Sequence, residues 1–137
     1  VLERRVMAMP SLHPETGPFP GKRFGWIGGE PEGGTRMAAA SFYAALMGAE
    51  CLDLAGAEGP VIVEGSFGGN AAFLRMLATA TGRVVRGAGQ GAGTGLGAAL
   101  LAGPLAVEGP KGLEVEPESD PLWTGYVGAW REAVARW

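Results

Sequence analysis

The stretch VIVEGSFGGN, residues 61–70, decides the fold that this sequence predicts. Its first half is a run of mostly β-branched residues, preceded by a glycine and a proline. The length and the flanks of this run are typical of a buried strand in a parallel sheet. Gly65, Gly68 and Gly69 follow, and then an apolar segment with helical spacing begins. The stretch therefore predicts the connection from a parallel strand to a helix.

Such a connection is one of the places where a protein of this class binds a ligand, because open α/β sheets bind ligands at the carboxyl ends of their strands. Glycine has no Cβ, so a phosphate or a ribose can approach the main chain of residues 65–69, and the first amides of a helix favour an anion. The alternative is a plain tight turn with Asn70 as the N-cap. Glu64 either bonds a ligand hydroxyl or stabilises the positive end of the helix. The local sequence leaves these alternatives open.

The segment before this strand predicts a long helix. Thr35 is a suitable N-cap, no proline interrupts the residues after it, and Gly56 ends the run. Apolar residues recur there in steps of three and four, and a second set widens the stripe, so we expect burial on most sides. The main stripe is Met37, Ala40, Tyr43, Ala44, Met47, Cys51 and Leu54, and the widening residues are Phe42, Leu46 and Ala49.

The segments after the quoted stretch predict a further strand and three helices. A helix from residue 71 is closed by Gly82, residues 83–86 form a strand, and an apolar helix begins near Gly95. Ser119 or Asp120 caps the last helix, with a proline at its first position. The inner face of the first of these helices is Phe73, Leu74, Leu77 and Ala78, and that of the last is Trp123, Val127, Trp130, Val134 and Trp137.

The N-terminal segment, residues 1–34, is predicted as a short strand over residues 4–9 and a loop rich in Pro and Gly that contains no strand. Residues 35–137 are predicted as the main α/β unit. The two strands predicted in this unit do not make a self-sufficient sheet, so we expect further strands from a part of the protein outside this chain or from a second copy.

The glycine run GAGQGAGTGLG, residues 87–97, resembles a dinucleotide-binding loop at first sight. Such a loop follows the first strand of its unit and is followed by an acidic residue about 20 positions later at the end of a second strand. Glu108 lies in a segment bounded by Gly and Pro instead. We therefore interpret the run as a packing device, in which small residues let a helix approach a neighbouring backbone while Leu96, Leu100 and Leu101 fill the core. An NAD(P)-binding fragment that uses residues 87–97 remains the alternative.

Composition excludes several classes of function. The chain has 137 residues, 47% of them apolar, with a net charge of −3 and scattered basic residues, which argues against nucleic acid as a partner. Cys51 and His13 are the only residues of their types, so we expect neither an intramolecular disulfide nor a metal site built from Cys and His. A single cysteine also suits a reducing compartment, so we expect a cytoplasmic location. The sequence shows no signal peptide and no apolar run of membrane-spanning length. The acidic residues in loops are interpreted as solvated; they are Glu30, Glu32, Glu114, Glu116, Glu118 and Asp120.

The order of these segments resembles the C-terminal lobe of the FGGY carbohydrate kinases, in the actin/Hsp70/sugar-kinase superfamily. That family shows an apolar strand, a Gly-Gly turn with Asn or Ser, a helix, an ADxxGxPV motif and an xLGAAxLA helix. LATATGRVV (residues 77–85) and GLGAALLAG (residues 95–103) match the last two, and VMAMPSLHPETGPFPG (residues 6–21) looks like the family's LPYLxGERxP segment. This sequence departs from the pattern at Ser66, which replaces a glycine, and at Met47, which replaces a glutamate.

The resemblance implies a partial ribonuclease H-like (actin-like ATPase) domain, the C-terminal part of a two-lobe kinase that phosphorylates a ketose or a polyol. It implies ATP and Mg²⁺ as cofactors and a sugar bound mainly by the preceding lobe, which would also carry the catalytic base. No catalytic residue is therefore assigned here, and the isolated chain is expected to be inactive. The implied nucleotide-binding residues are Gly65, Ser66, Gly68, Gly69 and Asn70.

A non-enzymatic interpretation also remains. In it the chain is an α/β module that dimerises, as a homo-oligomer of two copies, through its tryptophan helix, in which Trp123, Trp130 and Trp137 share one face.

Overall fold

A computed structural model describes residues 1–88, 93–103 and 112–137 of the chain. A short antiparallel pair, β1 (Met7–Met9) with β2 (Gly25–Ile27), precedes a second sheet. In that sheet β3 (Val61–Glu64) and β4 (Val85–Ala88) are parallel, and β5 (Leu113–Val115) lies antiparallel to β4. The α/β class and the parallel strand at residues 61–64 are thus confirmed. The elements are β1 (Met7–Met9), β2 (Gly25–Ile27), α1 (Gly33–Leu54), β3 (Val61–Glu64), α2 (Ala71–Thr81), β4 (Val85–Ala88), α3 (Gly93–Ala102), β5 (Leu113–Val115) and α4 (Pro121–Arg136).

Helix α2 has the ends that the sequence predicts. The Asn70 side chain accepts a hydrogen bond from the Phe73 amide at 3.1 Å, which satisfies one of the donors left free at a helix N-terminus. Gly82 follows the last turn with φ +66°, a left-handed conformation that glycine adopts without strain. The predicted inner face is confirmed, since Phe73, Leu74, Leu77 and Ala78 are all buried.

Helix α1 begins two residues before the predicted cap, and its buried face is different from the predicted one. Glu32 occupies the N-cap position, so Thr35 is not the cap. The main stripe is also wrong, because Met37 and Leu54 are 71% and 74% exposed and Cys51 is exposed as well. The helix is buried along one face rather than on most sides. That face is Ala39, Ser41, Phe42, Ala45, Leu46 and Ala49, and α1 packs against α2.

By length and composition alone, α1 is long and apolar enough to cross a membrane. It is the only such helix among the described residues. A core helix passes the same test, and Phe42 and Leu46 of α1 lie in the core of this chain. The finding therefore gives only weak support to a membrane segment.

Helix α4 joins the N-terminal strand to the rest of the core. It is capped by Asp120, whose carboxylate accepts from the Leu122 amide at 2.8 Å, and Pro121 occupies its first turn as predicted. The Tyr126 hydroxyl donates to the Val6 carbonyl at 2.8 Å, and the Trp130 indole donates to the Ala8 carbonyl at 2.9 Å. These bonds fix α4 against β1, because both acceptors lie on or beside that strand.

The tryptophans of α4 are used within this chain. Trp123 and Trp130 are 8% and 0% exposed, and Phe42 of α1 lies 5.3 Å from the Trp123 ring centroid. Trp137 is 45% exposed and its indole donates to the Arg23 carbonyl at 2.7 Å. A dimer interface built from these three side chains is therefore not favoured.

Two strands were missed by the sequence analysis and one was misplaced. The predicted loop of residues 10–34 contains β2, and the acidic segment after α3 contains β5. The strand expected at residues 83–86 begins two residues later, as β4. The strands β2, β4 and β5 are each only three or four residues long, so their position is decided by pairing across the sheet rather than by a local pattern.

One face of the three-stranded sheet is open to solvent in the described part of the chain. Ile62 is 65% exposed, so β3 is not buried on both faces as expected, whereas Val61 and Val85 point into the core. Leu100 and Leu101 of α3 are 45% and 91% exposed, so they do not fill the core of this chain as predicted. Residues 89–92 and 104–111, which include four of the eleven residues of the glycine run and Glu108, lie outside the described residues, as does the side chain of Leu96.

Burial of tyrosine predicts a loss of stability in alkali. Burial raises the pKa of the Tyr126 hydroxyl well above its usual value of 10.0, and it also raises the pKa of Tyr43. Above pH 10 the unfolded chain therefore releases a proton that Tyr126 keeps in the folded chain, and the buried Tyr126 costs about 1.4 kcal/mol of unfolding free energy per further pH unit. Urea titrations at pH 8 and pH 11 measure this loss. Tyr126→Phe should flatten the alkaline decline, and an unchanged slope in that variant would contradict the assignment.

Candidate functional site

The candidate site is the connection from β3 to α2, a 3₁₀ helix over Gly65–Gly69 that is followed by Asn70. We call residues 65–70 the glycine turn. Gly65 has φ +75°, a conformation that L-residues rarely adopt, so the turn needs glycine where the strand ends. Gly65, Ser66 and Gly69 are exposed. At Gly65 and Gly69, no described atom beyond the chain neighbours lies within 4 Å of the position of a Cβ, so the main chain is open to an approaching group.

The opposite side of the glycine turn is packed backbone against backbone. Gly68 is buried, and a Cβ on it would lie 2.9 Å from the Val63 carbonyl oxygen and 3.0 Å from that of Ala88. A Cβ on Gly87 of β4 would collide with the carbonyl oxygen of Gly68. Of the predicted site residues, Gly68 is thus the one whose main chain packs against β3 and β4 instead of facing solvent. Gly87, the first residue of the glycine run, also has a packing role, but it brings β4 against the glycine turn and not, as predicted, a helix against a neighbouring backbone.

Asn70 is held by both ends of its side-chain amide. Its oxygen accepts from the Phe73 amide, and its Nδ2 donates to the Ser41 hydroxyl of α1 at 2.9 Å. The Asn70 amide nitrogen of the main chain also donates to the Phe67 carbonyl at 3.0 Å, which closes the turn. The N-cap interpretation of Asn70 is therefore confirmed. Ser41 was missed, because nothing in the local sequence of α1 distinguishes a serine that contacts a turn 29 positions away.

Phe67 is a second residue that the sequence analysis did not single out. Its ring packs against Phe73 with the centroids 4.6 Å apart, and the residue is 43% exposed. A half-exposed aromatic ring thus borders the exposed glycines. Its signal was present in the sequence as a large apolar residue between small polar and glycine neighbours.

The acidic residues do not assemble a catalytic centre in the described part of the chain. Glu64 is exposed at the end of β3, and three of the loop carboxylates form surface ion pairs. These are Glu30 with Arg36, Glu118 with Arg75 and Glu114 with Arg86. Among the residues that the structure describes, no group of three or more His, Cys, Asp or Glu side chains is placed to hold a metal ion.

A cavity of about 310 Å³ lies on the open face of the sheet, next to the strand that backs the glycine turn. It is lined by residues of the three strands and of the segment that leads into β5, and none of them belongs to the turn. The lining residues are Ile62, Arg86, Gly87, Ala88, Gly112 and Glu114.

Comparison with known proteins identifies the family to which this fold belongs. The family model "Carbohydrate kinase FGGY, C-terminal domain" matches residues 1–110. The crystal structure of a carbohydrate kinase from Novosphingobium aromaticivorans matches with a TM-score of 0.79 and 34% sequence identity, over 99% of this chain and 29% of that one. The chain thus spans under a third of the length of this relative. A search of the curated proteins found no match. The family match covers most of the chain and the structural match nearly all of it, and we conclude that this chain belongs to the FGGY carbohydrate kinases, as part of their C-terminal domain.

Proposed function

We propose that this chain is the ATP-binding part of a carbohydrate kinase that transfers the γ-phosphoryl group of ATP to a hydroxyl of a ketose or a polyol. The observation that carries the proposal is the glycine turn, whose main chain is open at Gly65 and Gly69 and rigidly backed at Gly68. An exposed main chain at the carboxyl end of a parallel strand and before a helix N-terminus suits a phosphate group.

The proposal assigns a role in nucleotide binding to each residue of the glycine turn. Gly65 and Ser66 offer main chain to the phosphate side of the nucleotide, and Gly69 and Asn70 border the adenine. The half-exposed Phe67 ring supplies an apolar surface of the kind that a purine contacts. Gly68 has no Cβ to separate the turn from β4, so the turn keeps one position when the nucleotide arrives.

The chemistry of transfer needs little more from this chain than position. Phosphoryl transfer depends mainly on alignment and on neutralising the charge on the phosphates, and Mg²⁺ would supply part of that neutralisation. The described residues offer no group of three or more His, Cys, Asp or Glu side chains for that ion, so none of them is assigned as its ligand. The base that accepts the hydroxyl proton and the contacts to the sugar are assigned to the rest of the kinase, and the chain alone is expected to be inactive. In this proposal the reaction takes place in the cytoplasm.

Gly69→Val is the sharpest test of the turn as the nucleotide site. Gly69 has neither a positive φ nor a described neighbour within 4 Å of a Cβ, so the fold accepts a side chain there, while the branched carbons occupy the space that the nucleotide needs. We expect the dissociation constant for a non-hydrolysable ATP analogue to rise roughly tenfold or more, with little change in melting temperature. Calorimetric titration of the natural gene product measures the first, and thermal unfolding the second.

Gly128→Val on α4 is the matched control, since Gly128 is exposed and also has no described neighbour at its Cβ position. It should leave the affinity for the analogue unchanged. Equal affinities for the analogue in the Gly69→Val variant and the wild type would show that the nucleotide does not bind at the glycine turn. Titration with NAD⁺ in the same experiment tests the alternative dinucleotide site at residues 87–97, because tight NAD⁺ binding that ATP does not displace would favour it.

A further inference from the structure

The hydroxyl of Ser41 lies at the contact between α1 and the glycine turn. Ser41 is 8% exposed, and its hydroxyl donates to the Met37 carbonyl of its own helix at 2.9 Å. Because a serine hydroxyl carries one hydrogen, its remaining capacity is to accept, and it accepts from Asn70 Nδ2 at 2.9 Å. Every polar atom of the pair is thus used in a defined direction.

The orientation of the Asn70 amide follows from its partners. The Phe73 main-chain N–H can only donate, so the group that faces it at 3.1 Å must be the amide oxygen. The nitrogen therefore faces Ser41, which accepts. Because the Asn70 side chain is both the N-cap of α2 and a donor to α1, only one rotamer satisfies both bonds. Asn70 directly follows Gly69, so this rotamer also restrains the end of the glycine turn.

From this geometry we infer that Ser41 is a positioning residue for the nucleotide. Through the Asn70 amide it fixes the distance between α1 and the glycine turn, and thereby the direction in which the main chain of residues 65–69 meets the nucleotide. The inference rests on the proposed function, since it assigns a nucleotide to that turn. It goes beyond it by placing part of the control of ATP affinity on α1, at a residue that does not touch the nucleotide.

A double-mutant cycle tests whether Ser41 acts through Asn70. Ser41→Ala removes the acceptor, and Asn70→Ser keeps an N-cap oxygen for Phe73 but is too short to reach α1. Each single variant should weaken binding of a non-hydrolysable ATP analogue roughly three- to tenfold, the range expected from loss of one partly buried hydrogen bond. The affinity of the double variant for the analogue should be about equal to that of the single variant with the lower affinity, because both changes remove the same contact.

Two further variants separate positioning from general stability. Ser41→Thr keeps the hydroxyl and should restore most of the affinity. Thr81→Val removes a hydroxyl that bonds carbonyls within its own helix, at the far end of α2, and should leave the affinity unchanged. Affinities are compared well below the melting temperature of each variant.

The outcomes distinguish this inference from the function on which it rests. If the wild type fails to bind the analogue, the proposed function and this inference both fall. If the wild type binds and Ser41→Ala binds equally well, or if the two single effects add, Ser41 does not position the turn and the proposed function stands.

Discussion

Trp130→Ala is expected to lower the free energy of unfolding by about 3–5 kcal/mol, the range typical for removing a buried aromatic side chain. Trp130 is 0% exposed, packs edge-on against Phe19 at 5.8 Å between centroids, and donates its indole hydrogen to the Ala8 carbonyl. The substitution leaves a cavity between α4 and β1 and deprives a buried carbonyl of its donor. Urea denaturation of the natural gene product, followed by circular dichroism, measures the change.

Two other variants separate the parts of this effect. Trp130→Phe keeps most of the ring volume and loses the hydrogen bond to Ala8, so it should cost roughly 1–3 kcal/mol. Trp137→Ala, on the same helix, removes a side chain that is 45% exposed, and should cost less than Trp130→Ala. If Trp137→Ala were the more destabilising of the two alanine variants, the contact of α4 with β1 would not be the main support of the N-terminal segment.

The sequence predicted those parts of the fold that depend on neighbouring residues. Asn70 and Asp120 cap their helices, and Gly82 ends α2 with a positive φ, because a cap is decided by a few consecutive residues. The strand at residues 61–64 was found for the same reason, since a β-branched run between turn residues is a local signal. The division of the chain at residue 34 stays a prediction.

The parts that were missed depend on contacts between distant residues. The buried face of α1 is decided by where α2 lies, and two apolar stripes on one helix fit the same spacing equally well. The pattern therefore selected the stripe that contains Met37 and Leu54, whereas Phe42 and Leu46 meet the core. Likewise, the short strands β2 and β5 exist because β1 and β4 offer them edges.

The candidate site shows the same division. The glycine turn could be located from the sequence, because a strand, three glycines and an N-cap residue are consecutive. The bond from Asn70 to Ser41 could not, because it joins two helices, and neither could the contact of Gly68 with Gly87. The order of segments was enough to show the resemblance to the kinase family, whereas the residues that hold the turn in place could be identified only in the structure.

Gly87→Ala is the change near the site with the largest expected effect. A Cβ at this position would collide with the carbonyl oxygen of Gly68 and would lie 3.0 Å from a methyl carbon of Leu74, and the first of these neighbours is backbone that cannot rotate away. We expect a loss near the upper end of the roughly 1–3 kcal/mol typical of overpacking, together with a displaced glycine turn. Urea denaturation measures the loss, and the affinity for an ATP analogue reports the displacement.

The same chemical change on α4 should have the opposite sign. Gly128 is an exposed helical residue with no described neighbour within 4 Å of its Cβ position, so Gly128→Ala should stabilise the chain by roughly 0.5–1 kcal/mol through helix propensity. The contrast isolates space as the cause, because both variants add one methyl group to a glycine. A Gly87→Ala variant that is as stable as the wild type would show that β4 and the glycine turn do not touch through their main chains. The rigid backing on which the proposed nucleotide site depends would then be absent.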